Sequence, residues 1–144
     1  MIRFSDIAGN PVMDTSTATT IGRIEAPVVD PATRHVVGFR VKKSQGPGNV
    51  VLWSALAGLG PDALTVGSAE AVADPPAELK DRSGKKLDLL KRQVLTEHGH
   101  PLGKVRDVEF DPSDGRITSL LLKDSFVDGA RLLGIGRYAV VVAG

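Results

Sequence analysis

The sequence predicts an all-β protein made of two tandem, small antiparallel β-barrels. Three observations lead to this fold class: an internal duplication, turn residues flanked by β-branched runs, and a count of about five short strands in each unit. The predicted organisation is a first domain over 1–73, a linker over 74–88 and a second domain over 89–144. Asp74-Pro75-Pro76 marks the boundary because two successive prolines end both strands and helices.

The duplication relates two predicted hairpins. Ile21 to Lys43 reads IGRIEAPVVDPATRHVVGFRVKK, and Leu102 to Asp124 reads LGKVRDVEFDPSDGRITSLLLKD. A shift of about 81 residues superimposes the two segments and brings Asp30 onto Asp111, each followed by proline. Asp-Pro favours a type I turn, because proline presets φ and the aspartate can accept from the amides that follow. Both segments are therefore expected to be strand–turn–strand units.

The two turns differ at their last residue. Gly115 closes the second turn with the positive φ that glycine adopts readily, whereas Arg34 stands at that place in the first. The first turn is therefore expected to be less well defined. In the strand after it, Val37, Phe39 and Val41 alternate with Gly38, Arg40 and Lys42, which predicts an inward Phe39 and an outward Arg40.

The remaining elements follow from turn residues and short apolar runs. In the first unit we expect strands near Val12 and over Gly22 to Val29, Val36 to Lys43, Asn49 to Trp53 and Leu64 to Val66. In the second unit, besides the hairpin, we expect strands near Val94 and over Arg131 to Leu133 and Tyr138 to Val142. The segments Ser44 to Gly48 and Asp124 to Gly129 are predicted loops. Five short strands suit a small closed barrel, which leaves no exposed sheet edge.

Composition narrows the class of protein. There is no cysteine, so a disulfide framework and a thiolate metal site are excluded. The net charge of +1 argues against nucleic-acid binding through bulk charge. No signal peptide is visible at the N-terminus and no apolar run is long enough for a membrane span, so the cytoplasm is the expected location.

The chain resembles the PRC-barrel domain family, twice in tandem. The first copy carries GNPVMD, IGRI, VVDPATRHVVGFRV and a closing LTV, and the second carries LGKVRDVEFDPSDGRITSLLLKD and a closing YAVVV. The resemblance implies compact barrels like those of the photosynthetic reaction-centre H subunit and of a ribosome-maturation factor, and of stand-alone prokaryotic dimers and adaptors. The family has no shared catalytic residues, and neither the membrane helix of the H subunit nor the N-terminal domain of the maturation factor is recognisable here.

No motif predicts catalysis, a cofactor or a metal. His98 and His100 beside Glu97 have a spacing that two metal ligands can have, but no third ligand lies at motif distance. Gly99 to Lys104 is one residue short of a phosphate-binding loop and lacks its serine or threonine. We therefore predict no catalytic, cofactor-binding or metal-binding residues and a protein that is not an enzyme; a metal protein built on the two histidines is a minor alternative.

The stretch from Lys80 to Arg92, which we call the connector, carries the one local excess of positive charge. Its cations are Lys80, Arg82, Lys85, Lys86, Lys91 and Arg92. They could contact RNA phosphates, and an RNA-associated or ribosome-maturation-type factor is the alternative function. The favoured interpretation of this stretch is a solvated linker, since charge runs usually face solvent.

An apolar patch on the second unit predicts an interface instead. Leu121 replaces the outward Arg40 of the first copy, so alternation puts Leu120 and Leu122 inside and Leu121 outside. The predicted interface residues are Leu121, Leu132, Leu133, Ile135 and Trp53, the last as a core or inter-barrel plug. The predicted function is a non-catalytic adaptor or scaffold that binds an unidentified protein partner, with homodimerisation as an additional use of these faces.

Overall fold

The computed structural model describes all of residues 1–144. The chain is all-β, which confirms the predicted fold class. The first half contains β1 (Ile2–Arg3), β2 (Pro11–Asp14), β3 (Thr19–Asp30), β4 (His35–Lys42), β5 (Val50–Leu52), β6 (Gly58–Leu59), β7 (Leu64–Val66) and β8 (Val72–Ala73). The second half contains β9 (Gln93–Thr96), β10 (Pro101–Lys104), β11 (Asp107–Phe110), β12 (Ile117–Leu121), β13 (Phe126–Asp128), β14 (Leu132–Ile135) and β15 (Val140–Val142).

Helical structure is limited to short 3-10 turns. They lie at Phe4–Asp6, Trp53–Ala55, Ala69–Ala71, Ala77–Leu79, Lys85–Leu87 and Gly129–Arg131. Runs of this length are typical of 3-10 geometry, which connects strands without adding a layer. None of these turns has the length or apolar character that a membrane-crossing helix needs.

The two halves have the same strand pairing. One sheet has the order β6-β7-β2-β3-β4-β5-β8, and two smaller sheets have the orders β10-β9-β15-β14 and β1-β11-β12-β13. In the first half β2 pairs with β3 antiparallel and with β7 parallel; in the second half β9 pairs with β10 antiparallel and with β15 parallel. The parallel pairs are an addition to the predicted antiparallel scheme, and each sheet has two edge strands instead of closing on itself.

The two Asp-Pro hairpins meet each other at their turns. The amide of Val36 donates to the carbonyl of Gly115 at 2.8 Å, and the amide of Ile117 donates to the carbonyl of Arg34 at 2.9 Å. Because Val36 is equivalent to Ile117 and Arg34 to Gly115, the two bonds are related by a local two-fold axis. We call this junction the seam.

Both turns form, although only one has glycine at its last residue. Arg34 adopts φ +59° and Gly115 φ +84°, so both occupy the left-handed region. The carboxylate of Asp30 accepts from the amide two residues ahead at 3.0 Å, and that of Asp111 does so at 2.8 Å. The seam bond to the Arg34 carbonyl helps to hold a conformation that arginine alone disfavours.

One continuous core joins the halves. A cluster of 26 buried apolar residues includes members of both halves. At its centre the ring of Phe39 lies 6.3 Å from Phe4, 6.0 Å from Trp53 and 6.2 Å from Phe110. Aromatic rings at these separations attract one another in addition to burying apolar area. The halves therefore stabilise each other directly.

The first residues of the chain pack on the second half. Ile2 pairs with Phe110 in the ladder between β1 and β11, and the amide of Ser5 donates to the carboxylate of Asp107 at 3.0 Å. The chain start thus belongs to the sheet of the opposite half. The division into domains with a linker over 74–88 stays a prediction.

The connector also packs across, where the sequence predicts a solvated linker and an outward Arg40. Arg40 is only 6 % exposed, and Ser83 and Leu89 are buried. The guanidinium of Arg40 donates to the Ser83 carbonyl at 3.0 Å and to Asp88. Phe39 and Val41 face the core as predicted, but a bulge at Val37 puts Val36 in the core in place of Val37. The connector lies over the outer face of β4 and covers the arginine.

Of the two predicted loops, only the first has no strand. Ser44 to Gly48 has none, whereas the segment Asp124 to Gly129 contains β13, which pairs with β12. Leu120 and Leu122 are buried as predicted. Alternating polar residues in DSFVDG conceal the strand, since only Val127 faces the core.

Candidate interaction surface

Arginines anchor the connector to the second half. Arg82 donates to the carbonyl of Ile135 at 3.2 Å. Arg92 donates to the carbonyls of Asp88 at 3.0 Å and Lys86 at 2.9 Å, and also to that of Arg137. A planar guanidinium can serve several carbonyls at once, so one side chain fixes a segment that has little regular structure.

A charged cluster anchors the connector to the first half. Arg40 forms a two-pronged pair with Asp88 at 2.8 and 2.9 Å and a further ion pair with Glu25. The hydrogen bond from Arg40 holds the pKa of Glu25 below its usual value, and the bonds to Asp88 raise the pKa of Arg40. No buried side-chain polar atom lacks a partner. The cluster is fully satisfied and structural.

The anchored connector presents its lysines to one open surface. Two adjoining depressions, each of about 530 Å³, share Lys85 and Arg137. We call this surface the basic cleft and define it by its exposed cations Lys80, Lys85, Lys86, Lys91, Lys104 and Arg137. None of these six side chains makes a hydrogen bond or an ion pair within the chain.

The structure separates the predicted nucleic-acid contacts into two groups. Four of them are exposed on the basic cleft: Lys80, Lys85, Lys86 and Lys91. The other two, Arg82 and Arg92, donate hydrogen bonds to backbone carbonyls. Two cations of the cleft, Lys104 and Arg137, are far from the connector in sequence. They join it because β10 and the turn before β15 flank Arg92, and no pattern in the sequence signals that approach.

The predicted apolar interface is not one surface. Leu132 and Ile135 are buried in the core, which corrects their expected exposure. Leu133 is exposed, and Leu121 is half-buried opposite the exposed Phe126. Leu132 and Leu133 are adjacent on β14 and face opposite sides, and the β-bulge between Leu132 and Gly134 puts Ile135 on the buried side with Leu132.

Trp53 lies at the seam. It is half-buried, its ring packs edge-on against Phe110 at 6.0 Å, and it lines an open groove of about 490 Å³ with His35 and Asp114. A Cβ at Gly115 would lie 3.3 Å from the tryptophan ring. Trp53 therefore lies between the two halves, and its role as an inter-barrel plug stays a prediction.

The histidines lie apart from the basic cleft lining. His98 and His100 are exposed, and the Nε2 of His98 lies 3.6 Å from a carboxylate oxygen of Glu97. No group of three or more histidine, aspartate or glutamate side chains is placed to hold a metal ion. The carboxylate of Asp111 bonds to Ser113, which lowers the pKa of that aspartate and fits its role in the turn.

Comparison with known families identifies the second half. Residues 87–143 match the PRC-barrel domain. The match begins inside the connector at Leu87 and contains β9 to β15, and it shows no second copy. No curated protein matches the chain. The segment that matches the PRC-barrel domain thus contributes Lys91, Lys104 and Arg137 to the basic cleft.

Proposed function

We propose that this protein is a non-catalytic adaptor in which both halves are PRC-type barrels and form an intramolecular pseudo-dimer. The shared strand pairing and the two-fold exchange of bonds at the seam support a first barrel equivalent to the matched one. In this proposal the protein acts in the cytoplasm, and homodimerisation is a further use of its exposed faces.

The observation that carries the proposal is the basic cleft. Arg40, Arg82 and Arg92 donate to partners within the chain and hold the fold, but the six cations of the cleft have no partner in the chain. Surface cations gathered on one side create a field that attracts and orients a charged partner. An adaptor needs such a surface on a rigid support, and the anchored connector supplies it.

The test is affinity capture from the native cell extract, with and without nuclease. The cleft variant carries Lys85→Glu, Lys91→Glu and Arg137→Glu; the matched control reverses three exposed cations elsewhere, Lys123, Arg106 and Arg116. We expect proteins that bind the wild type and the control after nuclease treatment but not the cleft variant. Equal capture by the cleft variant would contradict a role for this surface, and an empty capture would contradict the adaptor.

A second candidate function is an RNA-associated or ribosome-maturation-type factor. It is favoured by the extension of the connector lysines through Lys104 and Arg137 and by the exposed Tyr138 at the rim, on which a base could stack. Its signature is retention of single-stranded RNA that weakens steeply with salt. If the captured proteins are ribosomal and vanish with nuclease, this function replaces the adaptor.

A further inference from the structure

The two halves differ at one edge strand. β10 is the first strand of its sheet, and all four of its residues, Pro101–Lys104, are exposed. In the first half the equivalent stretch is the start of β3, where Ile21 and Gly22 are buried. Leu102 is the counterpart of Ile21, because each is the extra residue of a β-bulge: Leu102 in the pairing of β10 with β9, and Ile21 in the equivalent pairing of β3 with β2.

The first half covers this edge with its own chain. The amide of Gln45 donates to the Ile21 carbonyl at 2.8 Å, and Ile21 is 4 % exposed. Gly22 permits the close approach, because a Cβ there would clash with Val41 and lie 3.5 Å from the Cα of Ser44. The covering segment is Ser44 to Gly48, between β4 and β5.

The second half lacks that cover. Its corresponding loop, between β12 and β13, is only Leu122 to Ser125 and is closed by its own bond, from the Leu122 amide to the Ser125 carbonyl at 2.8 Å. Leu102 is 38 % exposed, and no turn or loop amide donates to its carbonyl. Around Gly103 no atom lies within 4 Å of where a Cβ would be.

We propose that this edge binds an extended segment of a protein partner, which fills the place that Ser44 to Gly48 fills in the first half. This inference rests on the adaptor function proposed above. Addition of a strand to a sheet edge obtains its affinity from backbone hydrogen bonds and its specificity from the side chains on either side. The fold itself supplies the precedent, since a backbone amide already meets the equivalent carbonyl in the first half.

The charges of the edge define the chemistry of the segment. Lys104 belongs both to β10 and to the basic cleft, where Lys85 and Lys91 are also unpaired. A segment that lies along β10 therefore meets cations at one end and the apolar side chain of Leu102 at the other. The complementary partner is an extended acidic peptide with an apolar side chain.

The same features disfavour the two other occupants. Edge-to-edge pairing with a second copy would bring two lysine-bearing edges together, and like charges there repel. Nucleic acid would need stacking platforms, but Leu102 is aliphatic and Tyr138 is the one aromatic side chain that lines the cleft.

In the first step of the test, the full chain is used to select binders from a display library of random peptides of about 12 residues. Peptides of this length can span a strand and its flanks. We expect enrichment of peptides that combine aspartate or glutamate with a large apolar residue. Leu102→Asp and Lys104→Glu should each weaken the selected peptide about tenfold or more, since a buried apolar contact and a charge pair are lost. The matched controls are Leu133→Asp, an exposed leucine on the opposite edge strand of the same sheet, and Arg116→Glu, an exposed cation at the turn of the second hairpin; neither should change binding.

Amide hydrogen exchange supplies a second measurement on the wild type. The bound peptide should slow exchange within Pro101–Lys104 and leave the Ser44 to Gly48 region unchanged. The inference would be overturned if no peptides are enriched, if the enriched peptides lack acidic residues, or if Leu102→Asp binds them equally well. It would also be overturned if an oligouridine of similar length displaces the peptide, or if self-association alone protects the edge. If those results occur while nuclease-resistant capture still depends on the basic cleft, the adaptor stands and only this site is wrong.

Discussion

Replacing Arg40 by methionine should destabilise the protein markedly. The side chain of Arg40 is 8 % exposed, and it donates to Asp88 at 2.8 and 2.9 Å, to the Ser83 carbonyl at 3.0 Å and to Glu25. Methionine fills a similar volume but leaves two carboxylates facing each other without a cation. The connector would lose its attachment to β4.

The size of the effect follows from burial. Removing one partner of a fully buried ion pair costs about 3–5 kcal/mol. Here the side chains of Asp88 and Glu25 remain 25 % and 27 % exposed, so water can solvate them in part. We therefore expect a loss of about 2–3 kcal/mol, and a fall in melting temperature of about 6–9 °C for a chain of this size.

Urea unfolding followed by circular dichroism measures the loss. Arg106→Met is the control, because Arg106 is exposed, its side chain makes no bond, and the change should stay within about 0.5 kcal/mol. In an Asp88→Asn background the cost of Arg40→Met should shrink by about 1 kcal/mol or more. A cost below about 1 kcal/mol, or no coupling to Asp88, would refute the structural role of the cluster.

Further predictions concern pH, the seam and the separated halves. Because Arg40 holds the folded pKa of Glu25 below the ordinary value of 4.5, the part of the wild type's advantage over Arg40→Met that comes from Glu25 should be complete above that value and lost as the pH falls through the folded pKa. Urea unfolding of both proteins from pH 7 into the acid range should show a difference in stability that narrows below pH 4.5. Gly115→Ala should cost about 3 kcal/mol and Gly99→Ala about 1 kcal/mol, since both have φ near +84° but only Gly115 faces the Val36 carbonyl and Trp53; equal costs would contradict the tight seam. Phe39→Ala should cost about 3–5 kcal/mol, because the ring is fully buried between both halves, and a cost under about 2 kcal/mol would argue against one shared core. Residues 74–144 alone should self-associate or unfold without cooperativity in sedimentation and thermal scans, because Phe110 loses Phe39, Trp53 and β1; a stable monomer with the melting temperature of the whole chain would contradict this.

Much of the fold could be predicted because it depends on local chemistry. The Asp-Pro turns, the alternation around Phe39 and the inward Leu120 and Leu122 all follow from short-range preferences. Arg34 shows the limit of such preferences. Arginine gives no signal for a left-handed residue, and the conformation is supported by a bond to the other half.

The candidate site was only partly predictable. The connector lysines could be named from the sequence, and four of the six predicted cations are exposed on the basic cleft. The anchoring roles of Arg82 and Arg92 could not, because a guanidinium that bonds to carbonyls and one that faces solvent look alike in a charge run. Leu132 could not share an outer surface with its neighbour Leu133, because successive side chains on a strand face opposite sides, and Ile135 is buried because a bulge reverses the alternation after Leu132.

The sequence by itself determined the all-β class and the two turns, since these arise from residue preferences that can be recognised along one chain. The tertiary structure decided how the two halves meet: the two-fold seam, the core that joins both halves and the crossing of β1 and the connector. It also decided that the edge at β10 is uncovered. The physical reason is that each of these features depends on contacts between segments that are distant in the sequence. The edge at β10 is exposed because the loop between β12 and β13 is short, and that effect can be seen only once the loop and the strand are placed in space.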